Sequence, residues 1–262
     1  MSSDKILSRK DGAIGFLTFN NPERRNAVSP EMSQAATEVL EDFAADRAIR
    51  VVVLTGAGGK AFVSGADISK FESARSTPEQ LEKWNEVSAR FRDVLRTIGK
   101  PTIAMIRGYC VGGGLGIALN CDLRISADDG QFGIPAAKLG IGYAAGAVGQ
   151  LVNLVGPSAA KDILYTGRRM NAQEALRLGL INHVLAPAEL EEFVVSYART
   201  MAGNAPLSLI AAKRVIDELM KDPERRDNAL CERVVADCFA SKDYVEGRRA
   251  FMEKRKAVFT GS

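Results

Sequence analysis

Two unbroken runs, Val51 to Thr55 and Thr102 to Ile106, constrain this chain more than any other feature. A short apolar run without a charged residue suits a strand buried on both faces. The residues around them alternate between strand and helix signals. Ala13 to Phe19 reads as a strand that Asn21-Pro22 breaks. Ser29 is placed to cap a helix with Pro30 at its first position, and Met32, Ala35, Ala36, Val39, Leu40 and Phe43 follow at helical spacing over 30–45. Thr77-Pro78-Glu79-Gln80 resembles a capping box opening a helix that carries Leu81, Trp84, Val87, Phe91, Val94, Leu95 and Ile98, and Gly99 and Pro101 stop it. Gly112-Gly113-Gly114 precedes an apolar helix, Leu115 to Leu119; Asp122 to Ser126 and Gln131 to Gly133 read as short strands. After about residue 145 the pattern is helical, over 157–166, 171–178, 187–203, 206–220, 223–240 and 242–256. That loss of alternation is the one organisational break.

Composition excludes several classes of function. A length of 262 residues suits one large domain, or a main domain with a smaller appendage. The net charge of +3, from 35 basic and 32 acidic residues, is too balanced for a nucleic-acid binder. Met1 to Lys10 lacks the apolar core of a signal peptide, and no apolar stretch of about 18 residues suggests a membrane span. A cytoplasmic protein is expected. Cys110, Cys121, Cys231 and Cys238 lack metal-finger spacing and read as free thiols. The single histidine, His183, sits among apolar residues and suits a structural or surface role; a Ser-His-Asp triad has no G-x-S-x-G elbow to go with it. No metal or redox cofactor is implied.

Three glycine clusters follow apolar strands, and each offers backbone N–H groups to an anion or serves only as a turn. Gly56-Ala57-Gly58-Gly59-Lys60-Ala61 lacks the spacing and hydroxyl of a Walker loop. Gly112-Gly113-Gly114-Leu115-Gly116 is a poor dinucleotide fingerprint, and Gly140-Ile141-Gly142 continuing to Gly146 is no better.

Taken with their flanks, these loops resemble the crotonase (enoyl-CoA hydratase/isomerase) superfamily. The segments that carry the resemblance are Asn21-Pro22-Glu23-Arg24-Arg25-Asn26-Ala27-Val28, then Lys60-Ala61-Phe62-Val63-Ser64-Gly65-Ala66-Asp67-Ile68, then Pro101 to Ile106 with Gly108 to Gly114. Cys121 to Ala127 and Ala175 to Val184 complete them, and the likeness runs from about residue 5 to 259. It implies an α/β fold: a crotonase (ClpP-like) spiral of β-β-α turns over residues 1–200 and a helical trimerisation region over 201–262. It implies an acyl-CoA thioester as substrate, with coenzyme A carried on the substrate and not as a cofactor, and a homotrimer or dimer of trimers. The thioester carbonyl is expected between the N–H groups of Ala66 and Gly113, which would stabilise an enolate oxygen. Coenzyme A contacts are expected from Arg24 or Arg25, from Ser64, Ala66, Asp67 and Ile68, and from Phe251 and Lys254 on the terminal helix, which in relatives reaches a neighbouring subunit. For Asp67 the resemblance implies a role in orienting its own loop; solvated charge is the competing reading of Arg24.

The chain departs from that pattern at its catalytic carboxylates. The hydratase glutamates correspond to Gly116 and Ala136, and the later acid of isomerases and dehalogenases corresponds to Ala144. Paired carboxylates are the usual means of adding water across a double bond, so simple hydration is in doubt. An enolate hole without a strong base suits decarboxylation of a malonyl-type thioester. Leu139-Gly140-Ile141-Gly142-Tyr143 also resembles methylmalonyl-CoA decarboxylase, with Tyr143 at that enzyme's tyrosine, although Ala66 stands where it has histidine. Tyr143 either bonds or protonates the substrate, or only lines the acyl pocket. Two further readings stand beside this one: a hydratase or isomerase using another acid such as Glu86 or Asp129, and a catalytically silent binder of CoA esters or of a partner.

Overall fold

A computed structural model describes residues 4–67 and 77–262. Strands β1 (Ile6–Asp11) and β2 (Ile14–Phe19) form an antiparallel hairpin. Helix α1 (Pro30–Ala45) starts as its sequence signals: the Ser29 hydroxyl accepts from the Met32 N–H and Pro30 fills the first helical position. It leads to β3 (Val51–Gly56), parallel to β2, and then to β4 (Ala61–Val63). Helix α2 (Pro78–Thr97) is capped by Thr77, whose hydroxyl accepts from the Gln80 N–H. The next turns are β5 (Thr102–Ile106), β6 (Tyr109–Val111) and α3 (Gly113–Leu119), then β7 (Leu123–Ala127), β8 (Gln131–Gly133) and α4 (Ala145–Thr166). Strand β9 (Met170–Asn171), α5 (Ala172–Arg177) and β10 (His183–Leu185) close the sheets.

Among the described residues the strands make a six-stranded sheet, β1-β2-β3-β5-β7-β10, and a four-stranded one, β4-β6-β8-β9. The pairs β3/β4, β5/β6 and β7/β8 each send their first strand to the larger sheet and their second to the smaller. The chain therefore climbs as a β-β-α spiral, and the parallel pairs β3–β5, β5–β7, β4–β6 and β6–β8 stack its turns.

The apolar runs are buried on both faces, as expected. In β3, Val52 and Leu54 join the core between the two sheets, while Val51 and Val53 face α6 (Leu190–Ala202) through Leu190, Val194 and Ala198. Ala104 and Ile106 against Ile103 and Met105 repeat the division in β5. His183 packs tilted against Phe193 and edge-on against Tyr197 at ring distances of 5.3 and 5.6 Å, a structural role.

Several boundaries differ from expectation. The helix expected over 157–166 begins at Ala145 and bends at Gly156, φ +75°, ahead of Pro157. The helix expected over 223–240 is a 3-10 turn, Pro223–Arg225, and then α8 (Asn228–Ala240), which Asp227 caps. The terminal helix α9 (Lys242–Met252) stops short of 256, so Lys254 lies beyond it in a left-handed conformation, φ +52°.

Helix α7 (Pro206–Leu219) is bound to the spiral: Lys213 Nζ donates to Asp122 at 3.0 Å and to the Lys100 carbonyl at 3.2 Å. Asp122 also accepts from the N–H and hydroxyl of Thr102, so it ties β5 to the start of β7. The chain end folds back on α9, where Glu246 accepts from Arg255 and from the Val258 N–H. These partners hold its carboxyl at about 2, below an ordinary value of 4.5. A depressed carboxyl stabilises above its unfolded value and ceases to as pH falls through its folded one. Protection of the Val258 amide from hydrogen exchange should therefore fall between about pH 4.5 and 2. Glu246→Gln should remove that step; an unchanged profile would refute the assignment.

Candidate active site

The site is built from two loops locked together through the Asn21–Val28 turn. Asn26 lies inside it, fully buried, with φ +57°, a region asparagine tolerates better than most residues. Its carboxamide oxygen accepts from the Asn21 N–H at 2.9 Å. Its amide donates to the carbonyls of Ala57 at 3.0 Å and Ala61 at 2.7 Å. The turn thus grips both the first glycine loop and β4. It then holds the next loop by backbone: the Ser64 N–H donates to the Arg25 carbonyl and the Ser64 hydroxyl to that of Arg24.

Val28 pairs with Ala66 in parallel fashion. The pairing uses the Gly65 carbonyl at 2.9 Å and the Asp67 N–H at 3.0 Å, so both polar groups of Ala66 turn away from it. Gly65 sits at φ +124°, which requires glycine. Asp67 is buried beside this bridge. Ile68 lies outside the described residues.

The second loop arrives from β6. The Gly112 N–H donates to the Gly133 carbonyl at 2.8 Å, and Gly112 takes φ +57°, ψ −121°. Gly113 is the first residue of α3, so its N–H has no acceptor inside the helix. Gly114 lets α3 rest on the end of β4: a Cβ there would lie 1.9 Å from the Val63 carbonyl oxygen. A Cβ on Gly113 would lie 3.5 Å from the Ala66 nitrogen, and one on Gly65 would lie 3.9 Å from the Gly113 nitrogen. The peptide nitrogens of residues 66 and 113 are therefore neighbours. Neither N–H meets a backbone acceptor among the described residues.

The three positions for a carboxylate hold none. A side chain at Gly116 would enter open space, Ala136 is buried in the 3-10 turn Pro135–Leu139, and Ala144 precedes α4. Neither alternative acid fits better. Asp129 accepts from the Gly108 N–H and pairs with Arg107 at 3.1 Å, at the end of β6 away from Gly113. Glu86 is exposed, and two residues on from buried Trp84 puts it about 200° round the helix. The thiols of Cys110 and Cys121 are no nucleophiles: burial raises both, that of Cys121 to about 12.

Tyr143 follows the 3-10 turn that continues from β8, whose last residue, Gly133, accepts from the Gly112 N–H. It is half-buried and packs on the core between the sheets. Burial raises its phenol, and the positive charge of Arg92 opposes that rise. Arg92 belongs to α2 and has no sequence motif around it. Arg24 is exposed; the Arg25 guanidinium lies 4.8 Å from the Tyr109 ring centre and that of Arg169 5.5 Å from it. Arg169 is a second basic group that no motif flags. Phe251 is not brought to these loops within one chain, and Lys254 follows it beyond α9. Phe251 is 83% exposed and lines a cavity of about 740 Å³ among the C-terminal helices, whose walls include no residue of either loop.

A family model described as enoyl-CoA hydratase/isomerase matches residues 9–262. The chain is 38% identical to a putative enoyl-CoA hydratase of Thermus thermophilus, over 97% of this chain and 100% of that protein. It is 35% identical to (E)-benzylidenesuccinyl-CoA hydratase of Thauera aromatica, over 95% and 96% of the two chains. An enoyl-CoA hydratase/carnithine racemase structure from Magnetospirillum magneticum superposes with a TM-score of 0.93, at 39% identity, over 100% of this chain and 97% of that one. The β-β-α spiral thus recurs in a known architecture, and the chain belongs to the enoyl-CoA hydratase/isomerase family.

Proposed function

We propose that this acyl-CoA enzyme stabilises a thioester enolate between the N–H groups of Ala66 and Gly113 and uses that hole to decarboxylate a malonyl-type CoA ester. The observation that carries the reading is the adjacency of these two N–H groups, without backbone acceptors, in a site that holds no carboxylate at positions 116, 136 and 144. Decarboxylation needs no base. The bond from the α-carbon to the carboxylate breaks, carbon dioxide leaves, and the electron pair moves into the thioester enolate. The two N–H groups meet the growing charge on the enolate oxygen, where preorganised donors act most strongly. A proton then reaches the α-carbon from the neutral Tyr143 phenol, directly or through water. Burial favours that neutral form.

Coenzyme A is assigned to the loop residues Arg24, Arg25, Ser64, Ala66, Asp67 and Ile68, and to Phe251 and Lys254 of a neighbouring copy. The assembly is a trimer or dimer of trimers that covers Phe239, Phe251 and Met252, which are 62%, 83% and 80% exposed in one chain. Hydration, the activity in the names of the relatives, is the second reading, and the empty carboxylate positions oppose it.

Mass-spectrometric turnover of crotonyl-CoA, malonyl-CoA, methylmalonyl-CoA and longer enoyl-CoAs decides between them. Carbon dioxide release from a malonyl-type ester is expected, and Tyr143→Phe should then lower kcat by roughly 10²-fold, as loss of a general acid does. A variant altered in KM alone would make Tyr143 a pocket wall. Fast hydration of an enoyl ester would overturn the decarboxylase reading, and binding of CoA esters without turnover would leave a silent binder.

A further inference from the structure

Two guanidinium groups converge on one aromatic ring. That of Arg25 lies 4.8 Å from the Tyr109 ring centre and that of Arg169 lies 5.5 Å from it. A ring attracts a guanidinium through its π-cloud and leaves N–H groups free to donate elsewhere. The carboxylates of the neighbouring elements are committed to other cations. Asp129 pairs with Arg107 at 3.1 Å, and Asp162 and Glu174 pair with Arg168 at 2.6 and 2.5 Å. Glu23, two residues before Arg25, is exposed and makes no ion pair with it. Neither Arg25 nor Arg169 has an acidic partner among the described residues, and both are exposed, so an incoming anion can reach them.

Their place ties them to the two loops of the site. Cys110 enters the core between the sheets, so Tyr109 before it turns to the outer face of the smaller sheet. Arg25 reaches the ring from the turn that holds the Ala66 loop, where its carbonyl accepts from the Ser64 N–H at 3.1 Å. Arg169 reaches it from the residue before β9. A Cβ on Gly133 would lie 3.5 Å from the Arg169 Cα, and the Gly133 carbonyl accepts from the Gly112 N–H. Each arginine thus hangs on the support of one loop. Gly113 is four residues on from Tyr109, which keeps the backbone beneath the ring within about 13 Å of the paired N–H groups. The phosphopantetheine arm of coenzyme A bridges a separation of that order, with the thioester at one end and phosphates at the other.

We infer that Arg169, together with Arg25 on the same Tyr109 ring, seats a phosphate group of the coenzyme A moiety. The inference rests on the acyl-CoA reading above but not on which reaction follows. Phosphate suits the pair because a guanidinium offers parallel N–H donors to its oxygens, and because an anion relieves two like charges gathered at one ring. The contact is far from the reacting atoms and is the same in ground and transition states. Its loss therefore shows in affinity and KM before kcat.

Calorimetry tests this with three butyryl thioesters: of coenzyme A, of dephospho-coenzyme A, which lacks the 3′-phosphate, and of pantetheine, which lacks all phosphates. The wild-type chain should bind the coenzyme A ester more tightly than the pantetheine ester by about tenfold or more, and added salt should narrow the gap. Arg169→Ala should cut that preference about tenfold, the scale of one hydrogen bond to a charged group, and Arg169→Lys should keep part of it. Thermal midpoints confirm that both variants fold. A preference that survives in the dephospho ester places the contact on the diphosphate, and one that does not places it on the 3′-phosphate; both support the inference. A stack that only braces the loops would weaken all three esters alike. That result, or a wild-type chain without a preference, overturns the inference, while binding of the pantetheine ester shows the acyl site intact. Failure of all three esters to bind overturns the acyl-CoA reading and this inference with it. An Arg169-dependent preference without turnover of any ester would keep the inference and defeat the proposed catalysis.

Discussion

Gly113→Pro should cost roughly 10²- to 10³-fold in kcat, the scale of one lost oxyanion donor, while the chain stays folded. Proline is suited to this test because Gly113 opens α3, where a missing N–H breaks no helical bond and the ring fits the helical φ. What changes is the donor beside the Ala66 nitrogen, and with it the charge that the site can hold. Ala66→Ser is the matching control. It keeps the N–H at residue 66, and its side chain is no part of the proposed chemistry, so kcat should stay within about tenfold. Steady-state kinetics on the ester that turns over, with circular dichroism of both variants, reads the contrast. Equal losses in two folded variants would mean that the backbone path is not what matters here.

Asn26→Ala should be the most destabilising single substitution in the site, at about 3–5 kcal/mol, because it strands several buried groups at once. The Asn21 N–H and the carbonyls of Ala57 and Ala61 would all lose the partner they have in the fully buried carboxamide. Alanine also accepts the left-handed backbone at residue 26 less well than asparagine. In a chain this size the thermal midpoint should fall by about 10 °C. Denaturant unfolding measures the loss directly, and a change below about 1 kcal/mol would show that Asn26 is not the staple between the turn and β4.

These two residues show how differently the parts of the site were written into the chain. The glycine loops were legible because backbone conformations such as φ +57° at Gly112 and +124° at Gly65 leave a visible mark in residue type. The empty positions 116, 136 and 144 were legible because a missing carboxylate is itself a sequence fact. Asn26 was legible only as part of a motif; its work lies in bonds to residues 57 and 61, which sequence spacing does not reveal. Asp122 likewise belongs to a recognisable segment, but its partners Thr102 and Lys213 come from distant elements.

By itself the sequence determined the helix starts at Ser29 and Thr77, the double burial of Val51–Thr55 and Thr102–Ile106, and the register of glycines that lets two loops meet. All are local properties: caps act within one turn, and an apolar run shows its burial in its own pattern. Strands β4, β6 and β10, of three residues each, were not read from their own pattern as the equally short β8 was, and β1 is largely exposed, so the tertiary structure alone supplied these four. It alone set the nitrogens of Ala66 and Gly113 side by side. Whether a polar group is satisfied depends on what the rest of the chain brings to it, and no local spacing encodes that.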